Sequence, residues 1–226
     1  EWGFDGLVVS DWGAVYDRVP ALAAGLDLEM PPNRPRSPDQ IVAAIQAGNL
    51  DETVLDARVR TVLTLVDRGM AVLDLDESFD ADEHHRLARA AAAESVVLLV
   101  NSGGLLPLAA DARIAVIGEF ARTPRFQGAG SSQVNPTRVE NALDELTALL
   151  PEVGFAAGYG IDDTASDEAL RAEAVRLAAE ADTVVMFLGL PGADESEGFD
   201  RTHLNLPAGQ LATLRAVAQA NPRVVV

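Results

Sequence analysis

The sequence predicts an α/β protein whose mostly parallel sheet is covered by helices on both faces, and three observations lead there. Short runs rich in Val and Ile alternate with helical segments, the order that parallel strands joined by crossover helices require. The composition, 48% hydrophobic and 23% charged over 226 residues, is that of a globular chain long enough to bury a sizeable core. Residues 74–83 turn acidic and lose their periodicity, which suits an exposed connection. The chain is thereby divided into a first domain over residues 1–73, a linker with an entry helix over 74–94, and a second domain over 95–226.

Each element has a local reason. "DGLVVS" reads as a buried strand, "AVYDRVPALAAG" carries a short helix closing at Gly25, and "LDLEM" is a second short strand before a Pro-rich loop. "SPDQIVAAIQAG" and "LDETVLDARVRTVLTLVDRG" are two helices. In the second, Asp51 caps the N-terminus, and Val54, Leu55, Val59, Val62, Leu63 and Val66 recur at helical spacing before Gly69. Beyond the connection the pattern restarts with helix "HRLARAAAAESVVLL", loop "NSGGLLPL", strand "RIAVIG" and a long Gly/Ser loop. It continues with helix "RVENALDELTALL", strand "VGFAAG", helix "DEALRAEAVRLAAEA", strand "DTVVMFLGL", an acidic loop, helix "PAGQLATLRAVAQA" and strand "RVVV". The chain opens without Met at the edge of one strand and stops on Val226 inside another. A piece of a longer polypeptide is therefore expected, with the true N-terminus out of view and a cytoplasmic location favoured.

Charge and composition remove several function classes. A formal charge of −18 spread over both halves makes nucleic acid a poor partner. No apolar run approaches the roughly 20 residues that a membrane-spanning helix needs, so no membrane partner is expected. All 17 basic residues are Arg, which excludes a P-loop lysine, a Schiff-base lysine and a receiver-domain lysine. Without Cys there are no thiolate nucleophiles, disulfides or sulfur metal ligands, and three His, two of them adjacent at His84 and His85, make a histidine-rich metal site unexpected. No cofactor and no metal are implied.

Function belongs at the carboxyl ends of parallel strands, where loops converge. Two places qualify: Asp11, directly after Leu7-Val8-Val9, and the loop "GADESEGFDR", directly after the run from Val184 to Leu188. Each has a plainer reading. An Asp after a strand serves as a helix N-cap, and Asp194, Glu195, Glu197 and Asp200 compose a solvated acidic loop in which Asp200 and Arg201 pair. "GAGSS" at residues 128–132 imitates a phosphate-cradling loop, yet it lacks the Walker Lys and the third glycine of a dinucleotide fingerprint.

The segments "GFDGLVVSDWGAV", "AGLDLEMP", "IVAAIQAGNLDETVLDARVRTVL", "ESVVLLVNSGGLLPL", "IAVIG", "GAGSSQVNP" and "ESEGFDRTHLNLPAGQ" occur in an order that resembles glycoside hydrolase family three, of the β-glucosidase type. The resemblance covers essentially the whole chain. It implies the C-terminal part of a (β/α)8-like barrel followed by an α/β sandwich, both truncated. It also implies a nucleophile at Asp11, in the S-D-W motif, and an acid/base at Glu197, in the S-E-G-[FY]-D-R motif, with "GAGSS" as an interdomain loop near the sugar.

The implied chemistry is retaining hydrolysis of terminal β-glycosides, β-D-glucosides foremost, through a covalent glycosyl-enzyme intermediate. One ionised carboxylate attacks the anomeric carbon, and one protonated carboxyl about 5 to 5.5 Å away protonates the leaving oxygen. Asp11 is expected to stay ionised through hydrogen bonds, and Glu197 to have its pKa raised by desolvation and neighbouring negative charge. Trp12 offers a flat apolar face to the C–H side of a pyranose. The partner is then a small-molecule or oligosaccharide β-glycoside.

Departures from the family bear on specificity. Val100 stands where the family usually has a Lys, and the Asp, the Arg and the Lys-His pair that bind sugar hydroxyls in the −1 subsite are not in this chain, so β-glucosides and β-xylosides stay undistinguished. A second domain carrying the Glu argues against the single-domain N-acetylglucosaminidase branch. With at most two of eight barrel strands present, residues 1–73 cannot close a barrel. Catalysis by this chain alone is not expected, and its apolar helix faces are expected to be disordered or covered in a homo-oligomer. Two rivals remain: a non-catalytic carbohydrate-binding scaffold, and an α/β signalling module with Asp11 as phosphoacceptor. The signalling module needs a partner Lys, which the sequence lacks.

Overall fold

A computed structural model describes residues 3–33, 35–73, 78–161 and 168–226, and the chain divides into two compact units, Glu1–Ser95 and Val96–Val226. The first unit holds α1 (Arg18–Ala23), α2 (Arg36–Gln46), α3 (Glu52–Met70) and α4 (Ala81–Ser95). Asp17 caps α1 through Val19 N–H at 3.2 Å, and Asp51 caps α3 through Thr53 N–H at 2.9 Å, as its place before the apolar repeat predicts. Leu22, Ile41 and Leu50 are buried between α1, α2 and the start of α3, with Val19, Val54 and Leu55 packed against them. Further along α3 the same stripe is open: Val59, Leu63 and Val66 are 46%, 60% and 54% exposed.

Three expectations are corrected in and beside this unit. "DGLVVS" and "LDLEM" are not full strands; they meet in a single parallel bridge, Val9 to Leu28, and Val8 and Val9 are 43% and 50% exposed. Among the described residues no third strand extends this pair, and a lone parallel pair stays short. The helix expected to run to Leu99 instead begins four residues earlier, where Asp80 accepts from Asp82 and Glu83 N–H, and ends at Ser95. The run that follows, rich in β-branched Val, is a poor helix former. The acidic connection is correspondingly shorter: residues 81–83 are the first turn of α4, and 74–77 lie outside the described residues.

The second unit carries β1 (Arg113–Ile117), α5 (Ala142–Leu149), β2 (Glu152–Ala156), α6 (Glu168–Glu180), β3 (Thr183–Met186), α7 (Ala208–Ala220) and β4 (Val224–Val225). All strand pairs are parallel, in the order β2-β1-β3-β4. This is the doubly covered α/β sheet that the alternating pattern predicts. Ala115 and Ile117 of β1 pack with Val184, Met186, Ala174, Ala178 and Val217 under α6 and α7, while Ile114 and Val116 face Leu143, Leu146 and Phe155 on the α5 side. Each fully buried Ile or Val here contributes about 1.5–3 kcal/mol. Asn141 caps α5 by accepting from Asp144 N–H at 2.9 Å, which starts that helix four residues later than the periodicity suggests. Asp167, the expected start of α6, lies outside the described residues.

The strand order places a winding reversal at the centre of the sheet: β1 leads outward to β2, and the chain then returns across it to β3 and β4. The carboxyl ends of β1 and β3 come together there, and Gly118 permits it. Its φ is +120°, and a Cβ at that position would stand 2.2 Å from the Phe187 carbonyl oxygen. Gly118→Ala is therefore expected to destabilise this unit by about 3 kcal/mol or more, from backbone strain and overpacking together. Urea unfolding followed by circular dichroism checks it; an unchanged midpoint would refute it.

Candidate active site

Reversal points at the carboxyl ends of parallel strands are where α/β sheets bind ligands, because the two loops leave in opposite directions and part to form a crevice. Here the loop after β1 and the loop after β3 line an open cleft of about 680 Å³. The first supplies Arg125, Phe126 and Gln127; the second supplies Glu195, Glu197, Phe199, Asp200 and Arg201. A parallel bridge between Ala129 and Ser196 stitches the loops together.

Arg125 organises the acidic side. Its Nη1 donates to the Leu190 carbonyl and to Glu195 Oε2, both at 2.9 Å, and its Nη2 donates to the Glu195 carbonyl at 2.9 Å. At the carboxyl end of β3, the Gln210 side-chain amide pairs with both backbone groups of Gly189, at 3.0 and 2.8 Å, fixing the root of the loop to α7. On the other wall, Gln127 exchanges hydrogen bonds with both backbone groups of Val134.

Glu197 lies at the cleft with its Oε2 accepting from Ser131 N–H at 2.7 Å. The Ser131 hydroxyl, together with that N–H, holds its carboxyl below the usual carboxylate range. This corrects the expected upward shift: Glu197 is exposed, so desolvation is outweighed by hydrogen bonds to the charged form. Arg201 does not pair with Asp200; its Nη2 donates to the Asn205 carbonyl at 3.2 Å.

Asp11 belongs to the first unit. Its carboxylate is exposed and accepts from Trp12 N–H at 2.7 Å, and the Trp12 side chain is 70% exposed. The turn that carries it is laced to the neighbouring segment by Ser10 N–H to the Leu28 carbonyl at 3.0 Å, Met30 N–H to Ser10 Oγ at 2.9 Å, and Gly13 N–H to the Met30 carbonyl at 2.9 Å. Deeper still, Asp27 anchors this segment by accepting from Val8 N–H at 2.8 Å while Arg58 Nη1 stands 3.1 Å from its other oxygen. Asp11 is not the cap of the helix that follows, since Asp17 holds that position.

Sequence reasoning passed over Arg125 and Ser131. Arg125 is one of three Arg residues between β1 and α5, with nothing in the sequence to single it out from Arg122 and Arg138; for Ser131 only the glycine before it hinted at a close approach. Among the described residues no helix is long and apolar enough to cross a membrane.

Comparison with known proteins agrees with this architecture. The family model for the glycosyl hydrolase family 3 C-terminal domain matches residues 96–226, the whole second unit. All of the chain aligns at 48% identity with 31% of an exo-α-(1→6)-L-arabinopyranosidase of Bifidobacterium longum, and at 43% identity with 30% of thermostable β-glucosidase B of Acetivibrio thermocellus. The crystal structure of a family 3 β-glucosidase from Bifidobacterium adolescentis superposes with a TM-score of 0.91 at 50% identity, over all of this chain and 33% of that one. The chain thus spans about a third of the length of the relatives it matches. A domain model matching more than half of the residues, on the unit whose parallel sheet carries the cleft, assigns the family: this chain belongs to glycosyl hydrolase family 3.

Proposed function

We propose that these residues form part of a retaining glycosidase that cleaves terminal β-glycosides, β-D-glucosides first, with Asp11 as nucleophile and Glu197 as general acid and base. The observation that carries this reading is the place of Glu197, a carboxylate in the open cleft at the carboxyl ends of β1 and β3, in a glycosyl hydrolase family chain. In the first half-reaction Asp11 bonds to the anomeric carbon while the Glu197 proton passes to the departing oxygen. In the second, water attacks the same carbon, gives its proton to Glu197, and the bonding pair returns to the Asp11 carboxylate. Trp12, with its ring exposed beside Asp11, supplies an apolar platform for the sugar. The first unit is then the end of a (β/α)8-like barrel, whose other strands would cover the open stripe of α3.

The names of the relatives leave two sugars in play, and one mechanism serves both. An α-L-arabinopyranoside has the anomeric arrangement of a β-D-galactoside that lacks its C6 group, so the same pair of carboxylates faces the same bond. The test is hydrolysis of nitrophenyl β-D-glucoside, β-D-xyloside and α-L-arabinopyranoside by the full-length polypeptide. Turnover of at least one is expected, with a first-formed product that keeps the anomeric configuration of its substrate, and no turnover of any glycoside by the full-length protein would end the reading. The 226-residue chain by itself is expected to release no nitrophenol, because the remaining sugar-binding groups lie outside it; measurable turnover by the chain alone would contradict the barrel assignment.

A further inference from the structure

We infer that Gly130 and the backbone N–H of Ser131 form a seat that positions the Glu197 carboxylate at the cleft. The inference rests on the role proposed for Glu197 above. Three features of the fold converge on it. The bridge from Ala129 to Ser196 fixes the two loops in register one residue before each partner, so Gly130 and Glu197 are forced face to face. Gly130 has φ +85°, and a Cβ there would stand 2.6 Å from both Glu197 Cβ and Oε2, so only glycine leaves the carboxylate room to enter. The next N–H, that of Ser131, then points at Oε2 at 2.7 Å, within the range of a charge-assisted hydrogen bond.

The other charged groups at the cleft do not take over this task. Arg125 is spent on Glu195 and two carbonyls, Arg201 is turned to Asn205, and Glu195 and Asp200 are like charges that would favour the protonated form. Ser131 is thus the donor that keeps the charge on Glu197, in line with the depressed titration of that group. The consequence is mechanistic. Hydrolysis of the glycosyl-enzyme needs Glu197 ionised, to take the proton of the attacking water. Protonation of the leaving group needs Glu197 neutral, and a neutral carboxyl is held less tightly by the Ser131 N–H. The holder therefore favours the second half-reaction, and substrate must loosen it for the first.

The test has two arms. In the 226-residue chain, carbon-detected NMR follows the titration of the Glu197 carboxyl in the native sequence, in Gly130→Ala, which displaces the carboxylate from the N–H, and in Ser131→Pro, which removes the N–H itself. Both variants are expected to move the midpoint upward, towards the ordinary carboxylate value. In the full-length enzyme, the alkaline limb of kcat/KM reports the acid of the free enzyme, so both variants are expected to carry that limb to higher pH. A midpoint unshifted in both variants overturns the inference. Failure of the underlying reading is separable: Glu197→Gln would then keep full activity on poor leaving groups while the NMR shifts persisted.

Discussion

Asp11→Ala in the full-length enzyme is expected to lower turnover of an aryl β-glucoside by about 10⁴-fold or more, equivalent to about 5.5 kcal/mol of lost transition-state stabilisation. The reason is that double displacement has no substitute for the nucleophile: without a carboxylate on that face no glycosyl-enzyme forms, and water must attack the sugar unaided. The hydrogen-bond lacing of the turn by Ser10, Leu28, Gly13 and Met30 uses backbone groups and the Ser10 hydroxyl, none of them from the Asp11 side chain, so the substitution leaves the turn intact. Added azide makes the test sharper. It would enter from the vacated face and give the α-glycosyl azide, with inversion, and no retained product. Steady-state rates with product analysis by NMR measure both. Near-native turnover on an activated aryl glycoside would remove Asp11 from the chemistry.

The second large effect separates two neighbouring carboxylates. Glu197→Ala is expected to slow the first half-reaction by orders of magnitude for leaving groups that need a proton, and far less for a dinitrophenyl glycoside whose phenolate departs unaided. With that substrate the glycosyl-enzyme should accumulate, because the base for water is gone as well. Azide should then speed turnover and yield the β-glycosyl azide, since the anion attacks the intermediate without needing a base. Glu195→Ala should show neither behaviour. Its carboxylate is bound to Arg125 at 2.9 Å, so its loss frees a guanidinium at the cleft and shifts the loop, and a modest fall in kcat/KM across all leaving groups is the expected result. Exchange of the two phenotypes would move the acid/base assignment to Glu195.

The sequence by itself determined whatever rests on contacts within a few residues. The apolar repeat of α3 behind the cap Asp51, the helix closing before Gly25, and the alternation of Val-rich strands with helices all read directly, because helical hydrogen bonds span four residues and strand burial shows as composition. Asp11 directly follows an apolar run and Glu197 lies in the acidic loop that follows another, so their placement reads from local sequence, whereas the roles proposed for them rest on the motif resemblance.

Only the tertiary structure decided what depends on distant partners. "DGLVVS" looked like a buried strand but has one bridge to Leu28 and an open face, because a strand is made by its neighbours. The Val-rich segment after Ser95, read as the end of a helix, leaves it because a short apolar run fits either period and its β-branched residues favour the extended one. The environment of Glu197 shows the limit most clearly. Its acid-rich local sequence predicts a raised pKa, yet the shift runs downward, because the donor that sets it, Ser131, comes from a loop 66 residues earlier, and Arg125, 70 residues before Glu195, neutralises the nearest acid. Local sequence reports the charges near a carboxyl along the chain; the fold selects which groups lie within hydrogen-bond reach, and at short range those bonds outweigh the charges.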